Sequence, residues 1–285
     1  MITIELTAIA LILANVGFSY KGFQEVSFRN RYNFHIDPIL IGKEYIRMLS
    51  SGFLHTGWWH LLFNMYALYI FSESLQFTGM SFAYYLILYF TSLLGGNALA
   101  LYIHRNHGDY RAVGASGAVS GVVFATIAIF PFGEIFFIPA WLFGIIYTLV
   151  TIYGVKSRWG NIGHEAHLGG SMVGILMAIL FSPNILEAYT WIILGMLIPM
   201  AAFLFLVIKR PEYLLIPNFF RYEGQRIQSN FKVKKGGQHP SNKSSSISPE
   251  DELNSLLEKV QKIGFHNLSA KEKDRLEELS RKLGD

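Results

Sequence analysis

The chain has 285 residues, of which 52% are hydrophobic, 15% aromatic and 15% charged, and its formal net charge is +4. Globular proteins carry roughly 25% charged residues, and here the deficit falls on residues 1–208, which hold nine basic and nine acidic side chains. This composition excludes intrinsic disorder and a soluble α/β enzyme for that part. The lack of cysteine excludes a disulfide scaffold, a thiolate nucleophile and a cysteine metal site.

Seven apolar segments predict membrane-spanning helices, since the hydrocarbon core of a bilayer requires ~20 helical residues. They are residues 2–20, 57–75, 80–104, 115–130, 138–154, 165–181 and 188–208. We interpret the first as a retained span rather than a signal peptide, because it lacks a basic start and a clear cleavage site. The fourth and sixth are short and rich in small residues, so we expect them to be the least exposed to lipid.

The second span opens with a histidine and an asparagine, His60 and Asn64. A spacing of four residues places both side chains on one helix face, so both can donate hydrogen bonds toward one point. An isolated pair of this kind is also explained by hydrogen bonds to neighbouring helices.

The fourth span opens with Gly114-Ala115-Ser116-Gly117. Ser116 stands at a junction between loop and helix, where free backbone N–H groups and the helix dipole favour negative charge. Gly114 and Gly117 allow a substrate to approach closely. Alternatively, Ser116 is an ordinary helix cap, with Gly117 and Gly121 as a packing seam. We expect Ser120, one turn further on, to serve only in packing.

The sixth span opens with His164-Glu165-Ala166-His167. His167 precedes Gly170 by one turn, and Gly170 and Gly174 form a close-packing face. The two histidines are three residues apart, whereas the zinc motif H-E-x-x-H needs a spacing of four. We therefore predict no metal site.

These three polar groups lie at the starts of the second, fourth and sixth spans. Because every second span begins on the same side of the membrane, the three helix ends face one side. A hydrolase explains this convergence with a nucleophile, a general base and oxyanion donors. A transporter or channel is a rival explanation, although the sequence shows no internal repeat.

At this point the chain resembles the rhomboid intramembrane serine proteases. The matching motifs are His60-x-x-x-Asn64, Gly114-Ala115-Ser116-Gly117 and Ala166-His167-x-x-Gly170, together with His55 ahead of the second span. Their order and spacing agree over about residues 1–181, and the seventh span resembles the six-plus-one form of the family. The tryptophan–arginine pair often seen in the family's first loop is missing, and Tyr45-Ile46-Arg47 stands there.

The resemblance implies an all-α polytopic membrane protein, with a rhomboid-like six-helix bundle, a seventh C-terminal span and a small helical-hairpin tail. It makes Ser116 the nucleophile and His167 the general base, a dyad without an acidic third member. It assigns the oxyanion to the Ser116 N–H, His60 and Asn64. Secondary support is expected from His55, Gly114 and Gly117, and helix packing from Gly121, Gly170 and Gly174. No cofactor is implied.

The resemblance also implies substrates that are single-span membrane proteins, unwound near the membrane surface. It suggests that the fifth span and the loop 154–164 act as a gate, with Gly160 and Gly163 as hinges, and an ordinary surface loop is the alternative. A catalytically inactive relative that binds client transmembrane helices is the alternative. The oligomeric state stays open.

Family expectation places the protein in a bacterial inner membrane, with the site opening to the non-cytoplasmic side. The charge pattern points the other way, because the basic residues of the body lie in the segments on the side that carries the motifs. We follow the resemblance here, since charges on long loops count less.

The excess positive charge lies in the tail, after the apolar body, so we expect no nucleic-acid-binding surface. Residues 209–250 predict an amphipathic stretch and a flexible basic linker that can touch lipid head groups. Residues 251–285 predict a helical hairpin, whose second helix is capped by Ser269. We thus divide the chain into a transmembrane domain at 1–208, with its core at about 1–181, a linker at 209–250 and the hairpin.

Overall fold

The computed structural model describes residues 3–157, 162–209, 252–253, 255–256, 259 and 269–283. The chain divides into two compact units, Met1–Gln225 and Arg226–Asp285, which are treated separately below. The predicted amphipathic stretch and basic linker, and the hinge at Gly160, lie outside the described residues.

Helices make up most of the described part of the first unit. They are α1 (Ile4–Gln24), α2 (Val26–Tyr32), α3 (Ile36–Leu40), α4 (Arg47–Ser50), α5 (Trp58–Gln76), α6 (Phe82–His104), α7 (Ser116–Ile129), α8 (Ala140–Ser157), α9 (His164–Phe181) and α10 (Ile185–Lys209). Two antiparallel ladders of two residues per strand join them, β1 (Phe34–His35) with β2 (Arg111–Ala112) and β3 (Glu134–Ile135) with β4 (Ile138–Pro139).

The predicted all-α fold is confirmed, and among the residues that the structure describes five helices are long and apolar enough to cross a membrane: α1, α6, α8, α9 and α10. The other two predicted spans differ from these. Helix α7 is apolar but has only 14 residues. Helix α5 is long enough, with 19 residues, but its mean hydropathy is too low for a candidate membrane span because polar side chains interrupt it. The seventh span is bent at Tyr189, whose φ of −133° is not helical, and it contains Pro199.

Helix α7 forms the centre of the bundle. Every residue from Gly117 to Ala128 is buried. Helix α9 has the largest buried share of the five long apolar helices, at 50%. The expectation that the fourth and sixth spans are the least exposed is therefore confirmed.

Glycines bring the backbones of α7 and α9 into direct contact. A Cβ atom on Gly174 would overlap the Gly121 carbonyl oxygen and lie 2.6 Å from the Gly121 Cα. A Cβ on Gly170 would likewise lie 2.8 Å from the Gly117 carbonyl carbon. These four residues, the α7–α9 seam, leave no space for side chains, as the sequence predicts.

A buried arginine holds segments of the first loop together. Arg47 donates to the Asn30 carbonyl (2.8 Å) and to the Asn33 carbonyl (3.1 Å), and it pairs with Glu44 at 2.7 Å. The ladder of β1 with β2 and a hydrogen bond from the Gly114 N–H to the Ser51 carbonyl (3.0 Å) then connect this loop to the segment before α7. The position of Ser116 thus depends on the folded loop.

In the described part of the second unit, α11 (Ala270–Leu283) begins at the predicted cap. The Glu272 carboxylate accepts hydrogen bonds from the Ser269 N–H (3.0 Å) and hydroxyl (2.8 Å). Arg275 of α11 donates to both carboxylate oxygens of Glu252, at 3.0 and 2.7 Å. This contact supports the predicted pairing of two helical segments.

Candidate active site

A cavity of about 2080 Å³ lies within the first unit, bordered by α5, α7, α8 and α9. Its lining includes the predicted nucleophile, base and oxyanion donors, namely Ser116, His167, His60 and Asn64. The structure therefore brings together side chains that are far apart in the sequence.

Ser116 is the first residue of α7 and is half-buried. Gly114, two residues before Ser116, has a φ of +143°, a conformation that L side chains rarely adopt. A Cβ on Gly114 would lie 3.0 Å from His60 Nε2 and 3.5 Å from Ser116 Oγ. Glycine is required here both for the backbone turn and for the close approach of these two side chains.

The two polar residues of α5 occupy different positions. His60 projects its Nε2 toward Gly114, while its Nδ1 lies 3.0 Å from Thr56 Oγ1 and accepts from the Thr56 N–H at 3.4 Å. The Asn64 amide donates to the His60 carbonyl at 2.8 Å, one turn back on its own helix. One of its two N–H donors is therefore already used.

His167 lies in the first turn of α9 and is held by a tyrosine of α8. Tyr147 Oη is 3.1 Å from His167 Nδ1 and 2.9 Å from Ser120 Oγ, and the tyrosine and histidine rings are stacked. Ser120 therefore belongs to the chain of contacts that ends on His167, and the expectation that it serves only in packing is wrong.

Between Ser116 and His167, both of which the structure describes, there is no direct hydrogen bond. They border one cavity, and the adjacent residues touch, since a Cβ on Gly117 would lie 3.3 Å from the Ala166 carbonyl oxygen. Catalytic hydrogen bonds are often long before substrate binds.

His55 contacts the residue next to the nucleophile. Its Nε2 accepts from the Ala115 N–H at 3.4 Å, and its Nδ1 lies 2.8 Å from Ser19 Oγ of α1. The Ser19 hydroxyl donates to the Phe53 carbonyl at 3.0 Å. Burial, with a smaller effect of nearby His60, lowers the pKa of His55 to about 3. His55 is therefore a neutral support of the loop before Ser116.

The Glu165 carboxylate forms its hydrogen bonds with His104 and Tyr110 rather than with His167. One oxygen of its buried carboxylate accepts from the Tyr110 hydroxyl (2.5 Å) and lies 2.7 Å from His104 Nε2. The His104 and Tyr110 rings are stacked with centroids 3.6 Å apart. This cluster joins the end of α6, the segment before β2 and the start of α9, and so fixes the helix that carries His167.

His164, the neighbouring histidine, faces α8 instead. A Cβ on Gly154 would lie 2.6 Å from its ring. Gly163, one of the two predicted hinges, is the residue before α9. In the part of the chain that the structure describes, no group of three or more metal-binding side chains could hold a metal ion.

Sequence reasoning missed Tyr147, Thr56 and Ser19. The chain contains 15 tyrosines, so no single one stands out in an apolar span. Thr56 lies in the loop and Ser19 in α1, and both contact histidines only because these segments pack together in the fold. No spacing pattern in the sequence predicts such contacts.

Comparison with known proteins identifies relatives for both parts of the chain. A family model described as "Rhomboid domain" matches residues 42–184. A second, described as a family of unknown function (DUF6576), matches residues 245–282. The second match overlaps the predicted hairpin.

Three relatives each match more than half of this chain. "Rhomboid protein 1, mitochondrial" of Saccharomyces cerevisiae is 31% identical over 179 residues, 58% of this chain and 51% of that protein. "RHOMBOID-like protein 12, mitochondrial" of Arabidopsis thaliana is 26% identical over 190 residues, 59% of this chain and 56% of that protein. "Rhomboid-like protein 11, chloroplastic" of the same plant is 28% identical over 190 residues, 60% and 64% of the two chains. The chain spans about half the length of the first two.

The names of these relatives specify mitochondria and chloroplasts. This finding contradicts the expected bacterial inner membrane, which is wrong. The assignment of a membrane face to the site depended on that expectation and is withdrawn with it.

Proposed function

The chain belongs to the rhomboid family, and from this premise we propose that it is an intramembrane serine endopeptidase that cleaves transmembrane segments of single-span membrane proteins. The observation that carries the proposal is the shared cavity, in which Ser116 and His167 open two helices packed backbone to backbone and face His60. Family membership alone does not supply the activity.

In the first step, Ser116 Oγ attacks the scissile carbonyl carbon, and His167 Nε2 takes the hydroxyl proton. For this, the neutral imidazole must carry its own proton on Nδ1. The Nδ1–H group donates a hydrogen bond to Tyr147 Oη, 3.1 Å away, and the Tyr147 hydroxyl in turn donates a hydrogen bond to Ser120 Oγ. Tyr147 is thus proposed to take the orienting role that an aspartate has in a triad.

The negative charge that forms on the substrate oxygen is stabilised by donors aimed at it. These are the Ser116 N–H at the start of α7, His60 Nε2 and the remaining Asn64 amide proton. Collapse of the tetrahedral intermediate breaks the C–N bond, and the His167 imidazolium gives its proton to the leaving amine. Water then hydrolyses the acyl-enzyme ester by the same steps, which returns the proton to Ser116.

We propose that substrates reach the cavity between α5 and α8. The cavity lining there is apolar and aromatic, with Phe63 and Tyr66 from α5 and Phe143 from α8. A regular helix cannot be cut because its carbonyls are hydrogen-bonded, so the substrate must unwind at the polar end of the cavity, where water can take part in hydrolysis.

A fluorophosphonate probe tests this proposal. We expect the detergent-solubilised protein to be labelled, and Ser116→Ala to abolish labelling and to lower cleavage of a single-span substrate on the order of 10⁴-fold or more. Ser182→Ala, a serine outside the cavity lining, is the matched control and should label as the wild type does.

His167→Ala should lose labelling as well, because the unactivated hydroxyl reacts slowly. A folded wild-type protein that neither labels nor cleaves would contradict the proposal. Capture of transmembrane helices by such a protein would then support the inactive, client-binding alternative.

A further inference from the structure

We infer that Thr56 is a positioning residue of the active site, which fixes the tautomer of His60 so that this histidine presents an N–H group to the oxyanion. Thr56 lies in the turn before α5, four residues ahead of His60. The inference rests on the proposed function, since it gives the role of His60 in the reaction a structural cause.

The argument begins with the Thr56 backbone. A backbone N–H can only donate, and the Thr56 N–H donates to His60 Nδ1 at 3.4 Å. His60 Nδ1 must therefore be the unprotonated nitrogen of the ring. The Thr56 hydroxyl, 3.0 Å from the same atom, consequently donates as well. Two donors from one residue hold the lone pair of Nδ1.

In a neutral imidazole the single proton then resides on Nε2. This nitrogen is directed at the active site, since a Cβ on Gly114 would lie 3.0 Å from it and 3.5 Å from Ser116 Oγ. The N–H group of His60 thus points to the place where a carbonyl oxygen attacked by Ser116 becomes negative. The other tautomer would direct a lone pair at that oxygen and repel it.

His55, whose ring centroid is 4.9 Å from that of His60, shows that the surroundings decide the tautomer. Its Nε2 accepts from the Ala115 N–H at 3.4 Å, so its proton is on Nδ1, from which it donates to Ser19 Oγ at 2.8 Å. Neighbouring histidines thus hold opposite tautomers, each fixed by a backbone N–H and a hydroxyl.

Substitution at Thr56 separates this role from packing. Thr56→Val keeps the shape and the backbone donor but removes the hydroxyl donor. We expect kcat to fall about tenfold, less than the 10²–10³-fold typical of removing an oxyanion donor outright, with KM unchanged. Thr56→Ser keeps the hydroxyl and should restore kcat to within about twofold.

Thr91→Val is the matched control. The Thr91 hydroxyl donates to the Ile87 carbonyl within α6 and has no contact with a histidine. We expect kcat and KM of this variant to match the wild type. Equal kcat values for Thr56→Val and the wild type, or a loss in Thr56→Val that Thr56→Ser does not restore, would overturn the inference.

The tautomer itself is measured without activity, by ¹⁵N NMR of the histidine rings in the Ser116→Ala background, with His60 assigned from the signals lost in His60→Ala. We expect an unprotonated Nδ1 and a protonated Nε2. Thr56→Val leaves only the longer backbone hydrogen bond, at 3.4 Å, so the preference weakens and the other tautomer becomes detectable. A proton on Nδ1 before that change would overturn the inference. If the wild type is inactive while the expected tautomers are observed, the proposed function fails and the tautomer control by Thr56 is upheld.

Discussion

A single hydroxyl, that of Tyr147, joins three helices at His167, the proposed general base. Its oxygen lies 3.1 Å from His167 Nδ1 and 2.9 Å from Ser120 Oγ, which links α8, α9 and α7. A dyad lacks the carboxylate that orients the base in a triad, so orientation must come from a neutral group.

We predict that Tyr147→Phe lowers kcat about tenfold with KM nearly unchanged, because the ring still stacks on His167 while the hydrogen bond is lost. Steady-state cleavage of a transmembrane substrate measures both constants. Tyr153→Phe, on an exposed position of the same helix, is the control. An unchanged kcat in Tyr147→Phe would show that the hydroxyl does not orient the base.

His55 predicts a pH dependence of stability. Burial lowers its pKa to about 3, below the ordinary value of 6.5, so the unfolded chain binds a proton at a higher pH than the folded one. The free energy of unfolding therefore has its full value above pH 6.5. It decreases as the pH falls toward 3, by up to ~1.4 kcal/mol per pH unit.

Thermal unfolding in detergent between pH 7 and pH 4 measures this dependence. His55→Gln lacks the titrating group, and we expect its melting temperature to fall less over that range than the wild type's. Parallel curves for the two proteins would contradict the assignment of this dependence to His55.

At the scale of residues, the sequence was sufficient to single out the polar residues in apolar spans as candidate site residues, because an unpaired polar group in lipid is energetically costly. His60, Asn64, Ser116 and His167 all border the cavity. Their partners were not predictable, because Tyr147, Thr56 and Ser19 come to the histidines from other elements.

At the scale of elements, the α7–α9 seam sets the distance between the helices that carry Ser116 and His167. Gly174→Ala would place a methyl group against the Gly121 backbone, which cannot yield as a side chain can. We predict a loss of about 1–3 kcal/mol in the free energy of unfolding. Unfolding by SDS titration in mixed micelles measures it.

Gly195→Ala in α10 is the control, since its new methyl group would meet Ile145 at an ordinary 3.6 Å. Equal destabilisation by both substitutions would mean that loss of glycine itself, rather than the contact between α7 and α9, is responsible.

Long apolar runs in the sequence predicted the ends of the membrane helices to within a few residues, because the thickness of a bilayer sets the length of such helices. The first loop was not predictable in detail. Its helices α2–α4 and the ladder of β1 with β2 are too short to leave a periodic pattern. The hydrogen bonds of Arg47 in α4 to Asn30 and Asn33, which join α4 to α2, were not predictable either.

At the scale of the whole molecule, the chain consists of two units with different matches, and the lining of the cavity lies entirely in Met1–Gln225. We predict that a chain ending at Gln225 keeps fluorophosphonate labelling and kcat/KM within about twofold of the full chain in detergent. A large loss would assign the tail a role in catalysis.

Under the proposed function, the short length of α7 has a consequence for where substrates are cut. Fourteen helical residues measure about 21 Å, whereas the hydrocarbon layer is ~30 Å deep. A rod of that length, with the nucleophile at its first residue, keeps the scissile bond at a set depth beneath the head groups. We therefore predict that longer acyl chains move the cleavage position along the substrate helix.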